Sequence, residues 1–192
     1  MPPNTGGRGG IWHGSFDPIM GNLWLTIYDS SGSGVYYSDN IYGYLKGTNK
    51  TIPLTLLRIC EDDRIFRGVC VARDQRLLFV AETSAYGMGG GIVNFWNIDK
   101  ILAGEGNETK FLTAEVNAPF NPWDCSARED FVAISDHSTN DVSIYGLSNL
   151  TESGVFAKEN RKVIAETGNE FGQVDNVWGV NFDALGNLIG NH

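Results

Sequence analysis

Three acids recur at nearly the same place along this chain. Asp29-Ser30-Ser31, Glu82-Thr83-Ser84 and Asp136-His137-Ser138 stand 53 and 54 residues apart, with Asn191 near the next expected place. One acid per repeat would set carboxylates around an axis, and a ring of oxygens is what Ca²⁺ takes as ligands. The attached Ser or Thr favours a plainer reading, in which each acid accepts backbone N–H groups in the turn after its strand. A second set follows four regularly spaced aromatic residues: His13, Arg67, Asp124 and Gly179. Basic and acidic side chains gathered from neighbouring repeats suit a polar or anionic ligand. Arg67, and Trp123 and Trp178 of the aromatic positions, are the candidate ligand-binding residues. A salt bridge between Arg67 and Asp124, tying two repeats together, is the favoured alternative.

Other chemistry finds little support. The histidines are His13, His137 and His192, and no His-x-His, His-Glu-x-x-His or Gly-x-Ser-x-Gly motif occurs. Met88-Gly89-Gly90-Gly91 precedes a strand-like run rather than a helix, so it reads as a hairpin tip and not a phosphate loop. Cys60, Cys70 and Cys125 show no Cys-x-x-Cys spacing. Cys70 and Cys125 fall in apolar runs and read as buried free thiols, with a Cys60–Cys70 bridge as the alternative in a secreted protein.

The elements that must position these residues are short strands in a long repeat. Trp12, Phe66, Trp123 and Trp178 follow one another at 54, 57 and 55 residues, and each opens an apolar segment. Block two is clearest: Phe66 to Ala72, a turn at Arg73 to Arg76, Leu77 to Glu82, then Ile92 to Ile98. Trp123 to Ala127, Phe131 to Asp136 and Asp141 to Tyr145 repeat it, as do Ile11 to Asp17, Leu23 to Asp29 and Val35 to Ser38. β-branched and aromatic residues fill these runs, and Gly, Asn, Asp or Ser bound them. Ile41 to Leu45 is a candidate fourth strand of block one, and Leu147 to Asn160 reads as loop. Asp99 to Gly104 allows about one helical turn. Block four breaks off at Leu188 to His192. A repeat of short strands at this period predicts a radial β architecture, in which no unit buries its faces alone.

The blades resemble those of the NHL-repeat and gluconolactonase (strictosidine-synthase-like) group of β-propellers. The residues that carry the likeness are Arg67-Gly68-Val69 with Leu78 to Glu82, Phe131 to Asp136, and Trp178-Gly179-Val180 with Gly186 to Ile189. Block two departs from that pattern in placing Glu82 where the group has Asp. The resemblance implies an all-β chain, a β-propeller of about three and a half blades of roughly 55 residues, part of a larger ring. The alternative is a small four-bladed ring closed by the N-terminal strand. Residues 1–192 read as one domain.

Charge and composition bound the partners. The net charge is −9, with no basic cluster longer than Arg161-Lys162, which excludes a nucleic-acid surface. No run is long and apolar enough to cross a membrane as a helix. Sequons at Asn49, Asn107 and Asn149 point to an extracellular protein, although no signal peptide is visible at Met1 to Arg8. The expected function is a binding or interaction scaffold for a protein, glycan or small-molecule ligand. The alternative, implied by the resemblance, is a Ca²⁺-dependent hydrolase of lactones or related esters. Glu82, Asp124 and Asp136 would then hold the metal, and His13 or His137 would accept the proton.

Overall fold

The computed structural model describes residues 9–29, 32–47, 51–60, 64–84, 91–105, 110–112, 121–149, 161–168, 170 and 173–191. They fold into three four-stranded antiparallel sheets and one two-stranded sheet, taken in chain order. The first holds β1 (Gly10–Asp17), β2 (Asn22–Asp29), β3 (Gly32–Ser38) and β4 (Thr55–Ile59). The second holds β5 (Arg64–Ala72), β6 (Leu77–Ser84), β7 (Ile92–Asn97) and β8 (Lys110–Leu112). The third holds β9 (Pro122–Arg128), β10 (Phe131–Asp136), β11 (Asp141–Gly146) and β12 (Arg161–Ala165). The fourth pairs β13 (Gly179–Phe182) with β14 (Leu188–Asn191). Each sheet is a blade with strands in sequence order, so the repeat in the sequence is the repeat of the fold. Among the described residues β1 pairs with β2 alone and β13 with β14 alone, so no strand pairing closes a four-bladed ring.

The core lies between blades, not within them. Trp24, Val35, Phe66, Val69, Leu78, Val80 and Trp96 pack the first blade onto the second. Cys70, Phe79, Phe95, Cys125, Ile134 and Tyr145 do so between the second and third. Val142, Val177 and Val180 do so between the third and fourth. A sheet buried on both faces must be apolar on both, which is why β6 and β10 read as near-continuous hydrophobic runs.

Tight turns return each inner strand. Asp17 Oδ1 accepts the N–H groups of Ile19 and Met20 at 2.9 and 3.2 Å, and Gly21 completes the turn at φ +70°. Asp183 Oδ1 does the same for Leu185 and Asn187, both at 2.8 Å.

Two expectations need correction. Ile41 to Leu45 is not a strand but part of α1 (Ile41–Lys46). Asn40 caps it, its side chain accepting the Gly43 N–H, and this local hydrogen bonding outweighs the β preference of Ile and Tyr. The fourth strand is instead β4. Cys70 and Cys125 are not free thiols but a disulfide, and Cys60 takes no part in it. Blades two and three set their inner strands side by side, with these two Cα atoms 5.8 Å apart. The helical turn near Asp99 is α2 (Ile98–Leu102). Asn49, Asn107, residues 86–90, the link over 150–160 and His192 lie outside the described residues, and Asn149 ends a 3₁₀ turn, Leu147–Asn149.

Candidate functional site

The first strands of the four blades, β1, β5, β9 and β13, line a central channel. β1, β5 and β9 each carry a β-bulge near the start. Ile11 faces Ile27 and His13 faces Thr26, which leaves Trp12 as the extra residue. Pro122 faces Asp136 and Asp124 faces Ser135, which leaves Trp123 extra. Phe66 faces Glu82 and Val69 faces Val80, so Arg67 and Gly68 together stand against Ala81. A bulge twists the strand and re-aims the side chain it carries. Here it turns one residue per blade toward the channel mouth: Trp12, Arg67, Trp123 and, just before β13, Trp178.

This register corrects the expected one. Phe66 is not the counterpart of Trp12. It matches Ile11 and is buried, at 3% exposure. Arg67 takes the tryptophan position, which makes the spacings 55, 56 and 55 residues. The next position along the ring is therefore His13, Gly68, Asp124 and Gly179. The acids shift as well. Glu82 and Asp136 are equivalent, but Ile27 is their counterpart in blade one, and Asp29 stands two residues further along, opposite Gly32.

At the mouth the four residues form a continuous stack. The Arg67 guanidinium lies 4.0 Å from the Trp12 ring centroid and 4.2 Å from that of Trp123. Trp178 meets Trp123 edge-on at 4.8 Å, and His137 leans against both, at 4.8 Å from Trp123 and 5.1 Å from Trp178. Trp12 and Trp178 remain 45% and 43% exposed, unusual for the largest apolar side chain. The stack bounds a cavity of about 470 Å³, which Ile189 and Asn181 also line. Arg67 Nε donates to Thr83 Oγ1 at 3.3 Å. Its Nη1 is enclosed and has no hydrogen-bond partner. Burial lowers the pKa of this guanidinium to about 10, with no counter-charge acting against that effect.

His13 and Asp124 form the floor. His13 Nε2 lies 3.3 Å from Asp124 Oδ1, which joins blade one to blade three across the channel. The reach is available because Gly68 holds the same level in blade two, between them. A Cβ on Gly68 would come within 2.5 Å of Asp124. Asp124 also accepts the N–H groups of Cys125 at 2.8 Å and Val180 at 3.1 Å. Burial raises its pKa, opposed by His13 and by those two backbone donors. His13 Nδ1 lies 3.2 Å from the Val69 carbonyl oxygen, so both ring nitrogens are engaged. Asp124 thus pairs with His13 and not with Arg67, which corrects the expected inter-blade bridge.

The structure does not bring the three candidate metal ligands together. Glu82 accepts from Arg64 Nε and, at 2.6 Å, from Asn94 Nδ2. Asp136 Oδ1 accepts the N–H groups of Asn121 and Ser138 at 3.0 and 2.9 Å, which makes it the turn acceptor its sequence context suggests. Among the described residues, no three His, Cys, Asp or Glu side chains are placed to share a metal ion. His137 stands at the mouth, in ring contact, while His13 is in the floor.

Beyond the floor, the channel opens on its other side into a cavity of about 610 Å³. The charges there are already matched. Arg73 pairs with Asp74 at 3.4 Å and reaches Asp17 at 4.0 Å, and Arg128 pairs with Glu129 at 3.4 Å. The tryptophan-lined mouth, with its unmatched cation, is therefore the better candidate. Trp12 was absent from the expected ligand-binding set, and its place in the repeat was the signal for it.

No protein-family model and no curated protein matches the chain. Solved structures do match. The crystal structure of a nidogen/laminin complex is similar with a TM-score of 0.55 and 16% identity, over 92% of this chain and 53% of that one. The structure of YCF48 bound to D1 peptide is similar with a TM-score of 0.54 and 12% identity, over 96% of this chain and 47% of that one. The chain thus spans about half the length of these solved chains. Both neighbours are β-propellers, and at such identities the likeness is one of fold. With its three four-stranded blades and the pair β13–β14 around a channel, the chain is a partial all-β propeller.

Proposed function

We propose that this chain is a non-catalytic binding module that takes a segment of a protein partner at the mouth formed by Trp12, Arg67, Trp123 and Trp178. The observation that carries the proposal is the exposure of Trp12 and Trp178 around a partly buried arginine. Trp and Arg dominate the binding energy of protein interfaces, because each offers a large rigid contact surface with a polar handle. The two structural neighbours were solved in complexes, one of nidogen with laminin and one of YCF48 with a D1 peptide, which supports the reading without identifying a partner here.

Hydrolysis draws less support from the same site. A general base needs a nitrogen turned toward the substrate; both nitrogens of His13 are engaged, and Nδ1 of His137 is enclosed. Ca²⁺ would have to displace the donors that Glu82, Asp124 and Asp136 already hold. We retain the NHL-repeat and gluconolactonase likeness as a proposal about blade type, on the strength of the inner-strand pattern. We also propose an oxidising compartment, which the Cys70–Cys125 bridge supports.

The test is selection of randomised short peptides on the immobilised protein, with Trp12→Ala and Trp178→Ala as counter-selections. Peptides retained by the wild type should bind each variant about 30-fold or more weakly, as hot-spot truncation does. Equal retention by wild type and both variants would place binding elsewhere.

A further inference from the structure

We infer that the anchor recognised at this mouth is a single carboxylate on an otherwise apolar peptide segment, held by Arg67; this rests on the reading of the mouth as a peptide site. Four observations converge on it. The first is charge. Among the described residues no carboxylate pairs with Arg67, although the chain carries 23 acids and only 14 Lys and Arg. Arg64, Arg73, Arg76, Arg128 and Arg161 all have acidic partners. A partly buried guanidinium with no acidic partner among the described residues stands out in a protein of net charge −9.

The second is hydrogen bonding. Nε is spent on Thr83, while Nη1 is shut off from water and has no acceptor. Buried donors are nearly always satisfied, and one that is not calls for a ligand, a water or a functional role. The third is shape. Trp12 and Trp123 lie over the guanidinium at 4.0 and 4.2 Å. With rings on its faces the guanidinium can take a partner only in its own plane, where its fork matches a carboxylate, and Nη1 becomes reachable when the side chains packed around it part. The fourth is surroundings. Trp178 and Ile189 add apolar surface to the same cavity. The net charge of −9 repels a polyanion, so one carboxylate with apolar neighbours fits better than a phosphate-rich or sulfated chain.

Two sources supply such a group: an Asp or Glu side chain, or the C-terminus of the partner. Selection with two libraries separates them, one displayed with free C-termini and one with the random segment internal. Enrichment of Asp or Glu in the internal library assigns the side chain. Enrichment only with free C-termini assigns the terminus. Converting the acid of a selected peptide to its amide should weaken binding to the wild type about 10- to 100-fold. The same conversion should change binding to Arg67→Gln less than about twofold. Arg67→Lys keeps the charge but loses the fork, and should fall between the two. Tm and circular dichroism of each variant confirm folding. The inference is overturned if selected peptides show no acidic preference in either library, or if the acid-to-amide loss is the same in wild type and Arg67→Gln. Peptides that lack the preference but still require Trp178 would leave the mouth as a binding site and remove only the carboxylate. Failure to retain any peptide over the Trp178→Ala variant would remove both.

Discussion

Breaking the Cys70–Cys125 bridge should cost this fold more stability than any single side-chain contact in it. The bridge ties inner strands of adjacent blades that are 55 residues apart in sequence. In the chain-entropy account, a cross-link closing a loop of that length constrains the unfolded state by about 4 kcal/mol. Native strain commonly reduces the measured value, so a loss of about 2–4 kcal/mol is expected. Reduction should open no large void, because both sulfurs stay in place among Phe79, Phe95 and Ile134. The effect should therefore act on the unfolded chain more than on packing. The assay is urea unfolding of oxidised and reduced protein, with Cys70→Ala/Cys125→Ala as control. With a urea slope of about 2 kcal/mol per molar, the midpoint should fall by about 1–2 M on reduction. The double variant should match the reduced wild type and be indifferent to reductant. Superimposable curves for oxidised and reduced protein would refute the reasoning. So would a reductant effect that persists in the double variant, since that would place the redox-sensitive element elsewhere.

Gly68→Ala should destabilise the protein by about 1–3 kcal/mol, because the new Cβ meets Asp124 at 2.5 Å where the backbones of β5 and β9 run side by side; thermal unfolding checks this. Arg161→Ala should loosen the outer strand β12, since Arg161 Nη2 holds Asp141 at 2.6 and 2.8 Å and Nε holds Ser143 at 2.8 Å. A loss of about 1–2 kcal/mol is expected, with faster amide exchange confined to β11 and β12. Burial holds the Asp136 carboxyl above its ordinary 3.8, so the folded chain grips that proton more tightly than the unfolded chain does. Its contribution is then full below the ordinary value and is lost as pH rises through the raised one. Wild type should lose stability relative to Asp136→Asn over that interval; a constant difference in urea midpoint across it would contradict the shift.

The blades were legible in the sequence because strands buried on both faces must be apolar throughout, and Leu77 to Glu82 and Phe131 to Asp136 are. Perimeter strands are not so constrained. Thr55–Ile59 and Arg161–Ala165 are half-exposed, mix charged with apolar residues, and carry no pattern that separates them from loop. The site was legible only in part. Trp12, Trp123 and Trp178 mark it, but the bulges that aim them depend on pairing with the second strand. In block two the bulge moves the equivalent position from Phe66 to Arg67. An aromatic residue one place too early conceals that shift, and with it the glycine that makes room for the His13–Asp124 floor. The disulfide was hidden for a related reason. Two cysteines 55 residues apart are remote in a generic chain, and adjacent only where the period is that of one blade.

Partner binding at the mouth can be measured directly through the five tryptophans of this chain. Their indole N–H signals are followed by NMR while a selected peptide is titrated in. The signals of Trp12, Trp123 and Trp178 should move together with the dissociation constant of the peptide. Those of Trp24 and Trp96, buried in the core between blades one and two, should stay in place. Saturable peptide binding that leaves all three mouth signals unmoved would contradict the account.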